Sequence, residues 1–174
     1  MNHHPTIIPA IAADGSLYPV EKLKAHVDGL FHLAVSIFVF DGEHLLIQQR
    51  ATDKYHCGGL WANTCCTHPY WDEPADRCAD RRLTEEMGIS LPLSRRQVVE
   101  YSADVGNGLH EHEKVTLYIG AANRETLVIQ PNPVEVAGWR WVTQADLHQE
   151  IAEHPERFTP WFRIYAERFP DLVF

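Results

Sequence analysis

The sequence predicts an α+β fold, on three observations. Short runs rich in valine, isoleucine and aromatic residues are joined by glycine turns, one strongly periodic helical segment stands mid-chain, and two more helical segments follow near the end. Residues 32–40 and 45–49 read as the arms of a β-hairpin, because Asp41-Gly42 between them suits a tight turn. Residues 72–87 read as a helix, with Asp72 available to cap it, Pro74 in its first turn and Gly88 to stop it. Ala75, Ala79, Leu83 and Met87 recur every four residues and lay one apolar stripe along it. Residues 98–105 and 111–121 read as strands turned by Gly106-Asn107-Gly108. Residues 139–142 read as a short strand and 143–153 as a helix. Thr159 stands where it can cap a last helix whose first turn carries Pro160 and Trp161.

A chain of 174 residues, 45% hydrophobic and 22% charged, has globular composition and the size of one ordinary domain. The longest apolar stretch, residues 33–40, is broken by Ser36 and falls far short of the roughly 20 residues of a membrane helix. The first residues lack the basic and apolar pattern of a secretory leader, so the expected location is the cytoplasm. Four cysteines (Cys57, Cys65, Cys66, Cys78) without a C-x-x-C pair make neither a disulfide framework nor a zinc motif, and are expected as free thiols. A formal net charge of −9 argues against nucleic acid or an anionic membrane as partner. It also means that a phosphorylated ligand would have to be held by a local cluster of cations or by bound divalent metal.

Three constellations carry chemistry. Arg82 and Glu86, like Arg81 and Glu85, stand four apart and share a helix face; taken alone they are ordinary ion pairs. Along residues 109–117, strand parity puts Glu111 and Glu113 on the face of Val115 and Leu117, with His110 and His112 on the other. Two adjacent buried carboxylates are costly unless a hard cation compensates them; the alternative is a strand that begins at Val115 and leaves both glutamates exposed. No local spacing joins His26, His32 and His68, but together with Glu111 and Glu113 they would make a three-nitrogen, two-oxygen set suited to magnesium, manganese or zinc. His3 and His4 are assigned nothing. Finally, the loop Trp61-Ala62-Asn63-Thr64-Cys65-Cys66-Thr67-His68-Pro69 places a thiol two residues before a histidine.

The spacing of Glu73, Arg81, Leu83, Glu85, Glu86, Gly88 and Ile89 resembles the Nudix box, with Thr67 in place of its first glycine and Arg82 in place of its second glutamate. The Cys-x-His-Pro loop, with Glu21-Lys22, His26, Arg50, Lys54, Tyr101, Glu111, Glu113 and Thr159-Pro160-Trp161, is similar to the type I isopentenyl diphosphate isomerases, which are Nudix relatives. Cys66 precedes Glu86 by twenty residues and Tyr101 precedes Glu113 by twelve, as in that family. The resemblance covers nearly the whole chain. It implies a Nudix-like α/β/α sandwich with a mixed β-sheet over residues 30–165, an N-terminal extension over 1–29 that contributes to the site, and a tail over 166–174.

The resemblance further implies that Cys66 and Glu113 exchange protons with opposite faces of a prenyl diphosphate, with Tyr101 bonded near the glutamate and Trp161 offering its π face to the cationic centre. His26, His32, His68, Glu111 and Glu113 would hold Mn²⁺, Mg²⁺ or Zn²⁺, and Glu86 a Mg²⁺ that arrives with the diphosphate. Lys22, Arg50, Lys54 and Arg82 would contact phosphate oxygens. A monomer or weak homodimer is expected, and residues 1–18 would order around ligand. Two departures stand out: His26 and His32 are six apart where the family has seven, and no proline precedes Gly59. Nudix hydrolysis of a nucleoside diphosphate derivative, and metal storage without catalysis, are the competing readings.

Overall fold

A computed structural model describes residues 5–170. The chain folds around one nine-stranded mixed sheet. In order come β1 (Ile7–Ile11), β2 (Leu17–Glu21), α1 (Lys22–Val27), β3 (His32–Asp41), β4 (His44–Arg50), β5 (Trp61–Ala62) and β6 (Cys65–Thr67). Then follow α2 (Ala75–Met87), β7 (Leu93–Gly106), β8 (Leu109–Ala121), β9 (Val136–Thr143), α3 (Gln144–Glu153) and α4 (Pro160–Arg168), with a single 3₁₀ turn at Pro155–Arg157 before α4.

Strand β3 organises the sheet. Along one edge it pairs in parallel with β8. Its other edge is shared by β1 at His32, β6 at Val35 to Ile37 and β4 at Val39 to Asp41, all antiparallel. Because successive strand residues point to opposite faces, two cores form. Ala34, Phe38, Val115 and Leu117 pack with Leu147 of α3 and Trp161, Phe162 and Tyr165 of α4. Val35, Ile37 and Val39 pack with Cys78, Ala79, Leu83 and Met87 of α2 on the opposite face. This is the expected α/β/α sandwich, and the predicted stripe of α2 is the one it buries. No helix among the described residues is long and apolar enough to cross a membrane.

Several local expectations are corrected. Asp72 does not cap α2: it sits at φ 65°, and the helix starts at Ala75 with Pro74 at the N-cap and no side-chain cap. Gly88 does stop it, at φ 65°, where a side chain would meet the Gln130 carbonyl at 2.4 Å. Thr159 stands at the N-cap of α4 without a capping bond, its hydroxyl buried and unpaired. That helix is anchored instead by the Thr159 amide, which donates to the Trp61 carbonyl at 2.9 Å. Strand β7 begins at Leu93 and β9 spans Val136–Thr143, both longer than read, while Thr143 itself caps α3. The N-terminal β1–β2 hairpin and α1, absent from the sequence expectations, join the sheet at β3 and bury Ile8, Ala10, Val20 and Ala25 in a satellite core. Residues 1–4, with His3 and His4, and residues 171–174 lie outside the described residues.

Candidate active site

Pairing register alone assembles most of the site. His32 of β3 lies opposite Glu113 of β8, which lies opposite Tyr101 of β7, so one rung across three strands carries three candidate residues. Strand β8 starts at Leu109, and both Glu111 and Glu113 are buried, so the reading that left them in an exposed turn is excluded. Helix α1, capped by the Glu21 carboxylate on the Leu23 and Lys24 amides, delivers His26; the end of β6 delivers His68. Nitrogens of His26, His32 and His68 and oxygens of Glu111 and Glu113 all lie within 4.8 Å of one another.

These five residues fit a divalent metal. His26 Nδ1 and His32 Nδ1 each donate to a backbone carbonyl, Lys22 and Leu30 respectively, at 2.6 Å. That fixes the tautomer and leaves each Nε2 lone pair facing the cluster. Those two Nε2 atoms and Glu111 Oε2 are buried without a hydrogen-bond partner, an arrangement that is costly unless a cation fills it. The shorter loop between His26 and His32 has not removed His26 from the set. Burial opposes the charge on Glu113, but its close neighbours Glu111, His32 and His68 outweigh it and hold the carboxyl well below the usual range. His68 Nε2 lies 2.7 Å from Glu113 Oε1, and the Tyr101 hydroxyl donates to Glu113 Oε2 at 2.6 Å.

Cys66 reaches the same place from β6, whose parity sends Cys65 into the α2 core and Cys66 toward the cluster. Its Sγ donates to Asn63 Oδ1 at 2.9 Å and lies 3.0 Å from Ser36 Oγ, its cross-strand partner on β3. Burial pushes the thiol up to about 12, against the lowering effect of the Ser36 and Asn63 bonds, so it is protonated at neutral pH. Cys66, Glu113, Tyr101 and Trp161 line one cavity of about 50 Å³. Lys22, Arg50, Lys54, Arg82 and Glu86 line it too, and a second cavity of about 160 Å³ shares Lys22, Lys54 and Arg82. An acidic chain thus gathers four cations around the first cavity, three of them shared with the second. Glu86 stands apart from the five-residue cluster: Arg82 holds one of its oxygens and Gln48 donates to the other at 3.0 Å.

Trp161 is 3% exposed, with the Arg50 guanidinium 5.3 Å from its ring. Lys54 is paired with Glu135, which also lies 3.5 Å from Arg82. The absence of a proline before Gly59 has a local cause, since a side chain at Gly58 would meet the Thr52 carbonyl at 2.3 Å. The fold brings the candidate residues together around this cavity and the adjoining cluster, beside several neighbours that the sequence did not single out. His56 is buried with Nε2 3.3 Å from Glu111 Oε1, and Ser36, Asn63, Tyr165 and Glu135 complete the surroundings. Ser36 carried a signal, as the one polar residue interrupting an apolar strand.

Residues 30–162 match the NUDIX domain family. An isopentenyl-diphosphate Delta-isomerase of Cereibacter sphaeroides is 55% identical over 162 residues, 92% of this chain and 91% of that protein. The protein of that name from Roseobacter denitrificans is 52% identical over 170 residues, 97% of this chain and 96% of its own. A crystal structure from Deinococcus radiodurans shares the fold, with a TM-score of 0.74 at 13% identity over 97% of this chain and 99% of that one. With the histidine-glutamate cluster, the facing thiol and the shared length all in agreement, the chain belongs to the isopentenyl-diphosphate Delta-isomerase family of NUDIX-domain proteins.

Proposed function

We propose that this chain interconverts isopentenyl diphosphate and dimethylallyl diphosphate, with Cys66 and Glu113 exchanging protons with the five-carbon tail. The observation that carries the reading is the shared cavity. A thiol and a carboxylate face it from different strands of the sheet, and four cations line it beside them. Moving the double bond requires one proton delivered to the terminal alkene carbon and another removed from the carbon next to the diphosphate-bearing one. An alkene is a very weak base, so the cationic centre needs shelter from water. Trp161 supplies an apolar wall whose π face attracts positive charge, and its burial keeps water out.

Tyr101 fixes the Glu113 carboxyl in one orientation, and Asn63 and Ser36 do the same for the thiol. Divalent metal, magnesium, manganese or zinc, held by His26, His32, His68, Glu111 and Glu113 would offset two adjacent carboxylates and set the proton affinity of Glu113. Glu86 would hold a magnesium that arrives with the diphosphate, whose oxygens Lys22, Arg50, Lys54 and Arg82 would contact. Arginine in place of the second Nudix-box glutamate fits this assignment, since it exchanges a metal ligand for an anion contact.

In this reading residues 30–165 are the catalytic domain and residues 1–29 an extension that supplies Lys22 and His26. The partner is a small prenyl diphosphate, and the protein works in the cytoplasm as a monomer or weak homodimer with its thiols free. Replacing Cys66→Ala is expected to abolish isomerisation while leaving the melting curve and metal content of the protein unchanged. An active Cys66→Ala protein would rule out the role given to the thiol.

A further inference from the structure

Glu86 is buried at 5% exposure, and both of its carboxylate oxygens are engaged from within the protein. Arg82, one helical turn earlier, holds Oε1, and the side-chain amide of Gln48 donates to Oε2 at 3.0 Å. A carboxylate offers about four lone-pair positions, so these two bonds leave room for a cation. The two partners differ in what they do to such a cation. A guanidinium neutralises the carboxylate and competes with metal for it, whereas an amide orients the group and leaves its charge in place.

Gln48 is itself firmly held. It is a buried residue of β4, and strand parity puts it on the face of Leu46, which packs with α2. Beyond Leu46 the strands β3 and β4 part, and residues 61–67 enter between them: β5 pairs with Gln48 and Gln49, and β6 with Val35 to Ile37. Thr64 sits at the point of this wedge, its hydroxyl donating to the Leu46 carbonyl at 2.6 Å and accepting from the Val39 amide at 2.9 Å. The Thr64 carbonyl accepts from Gln48 Nε2 at 2.9 Å. Both hydrogens of one nitrogen are thus given to acceptors, which fixes the orientation of the amide and aims it at Glu86. An apolar side chain at this buried position would pack more cheaply, so the amide stands there at a cost.

Resting on the reading of Glu86 as the ligand of magnesium carried in by the diphosphate, we propose that Gln48 is the positioning residue for that carboxylate. Arg82 divides its charge among Glu85, Glu86 and Glu135. Once Arg82 contacts phosphate oxygens, Gln48 keeps Glu86 aimed into the cavity with its full charge. Gln48 touches no substrate; it acts through Glu86.

The test uses Gln48→Met, which keeps the length and approximate volume of the side chain and removes the amide. The measurement is the rise in melting temperature that isopentenyl diphosphate produces in protein loaded with zinc at the histidine-glutamate cluster, taken across a magnesium titration. In Gln48→Met the magnesium midpoint of that rise should move up by about 10- to 100-fold, the loss expected when a group that orients a metal ligand is removed, with zinc content unchanged. Glu86→Gln should move the midpoint at least as far. Adding Gln48→Met to Glu86→Gln should move it no further, since the amide acts only through that carboxylate. A Gln48→Met protein that melts lower but keeps the parent midpoint, or a double variant whose two shifts add, would overturn the proposal and leave the isomerase reading intact. A Glu86→Gln protein with the parent midpoint would overturn the magnesium assignment and the proposal with it. A parent protein that isopentenyl diphosphate does not stabilise at any magnesium concentration would overturn the isomerase reading itself. Should Gln48→Met fail to fold, Gln48→Asn, which draws the amide back by one methylene, takes its place with a shift in the same direction expected.

Discussion

Replacing Tyr101→Phe removes one hydrogen bond and almost nothing else. The ring is buried at 5% exposure and stays in place, while the hydroxyl that donates to Glu113 Oε2 at 2.6 Å is lost. A hydrogen bond to a charged acceptor contributes about 1.5–3 kcal/mol, and Glu113 is held ionised by its surroundings, so the charged case applies. If the reaction needs the carboxyl in its present orientation, that loss appears in the barrier, and at about 1.4 kcal/mol per factor of ten it lowers kcat/KM by about 10- to 150-fold. Substrate affinity should change little, because the phosphate-facing cations are untouched. The same loss from a buried site should lower the melting temperature by about 2–4 °C per kcal/mol for a chain of this size. Conversion can be followed by proton nuclear magnetic resonance of the prenyl methyl groups. A variant within about threefold of the parent would refute the idea that Tyr101 positions Glu113.

Two further outcomes follow from the same geometry. His56→Phe fills a similar volume but removes the nitrogen 3.3 Å from Glu111 Oε1, so it should weaken metal binding by about 10- to 100-fold in competition with a fluorescent chelator; equal affinity would show that His56 does not orient Glu111. In protein stripped of metal, His32 is raised above 6.5, and its contribution to stability is full below that pH and is lost as pH rises through the elevated folded value. Glu113, lowered below 4.5, contributes above that pH and loses its contribution on acidification, so stripped protein should melt highest between these two values. Metal-loaded protein should instead gain stability as pH rises and the histidines deprotonate, and identical profiles with and without metal would contradict the assignment of the cluster.

Local signals were the legible ones. The apolar stripe of α2, the Asp41-Gly42 and Gly106-Asn107-Gly108 turns and the parity of β8 depend on neighbours in sequence, and each was borne out by the fold. Parity in particular puts Glu111 and Glu113 on the face of Val115 and Leu117, and the start of β8 at Leu109 decides against the alternative of an exposed turn. The gathering of His26, His32 and His68 has no local spacing behind it, because it is made by pairing of distant strands and one short helix. The β1–β2 hairpin contains Asp14-Gly15, a turn signal, but Pro9 and Pro19 obscured its strands; these prolines face each other across the pair. Asp72 misleads because a capping residue type three positions ahead of a periodic run looks the same whether or not the backbone turns into the left-handed region there. His56 and Tyr165 had no signal of their own: a lone histidine in a loop and a tyrosine in a helix acquire meaning only from what packs against them.

The most direct measurement of the central claim is deuterium uptake. Isopentenyl diphosphate incubated with metal-loaded protein and magnesium in heavy water should yield dimethylallyl diphosphate carrying deuterium in the methyl group formed from the terminal alkene carbon, with no release of phosphate. Release of phosphate from unaltered, undeuterated prenyl chains would contradict the account and place the site among the hydrolases.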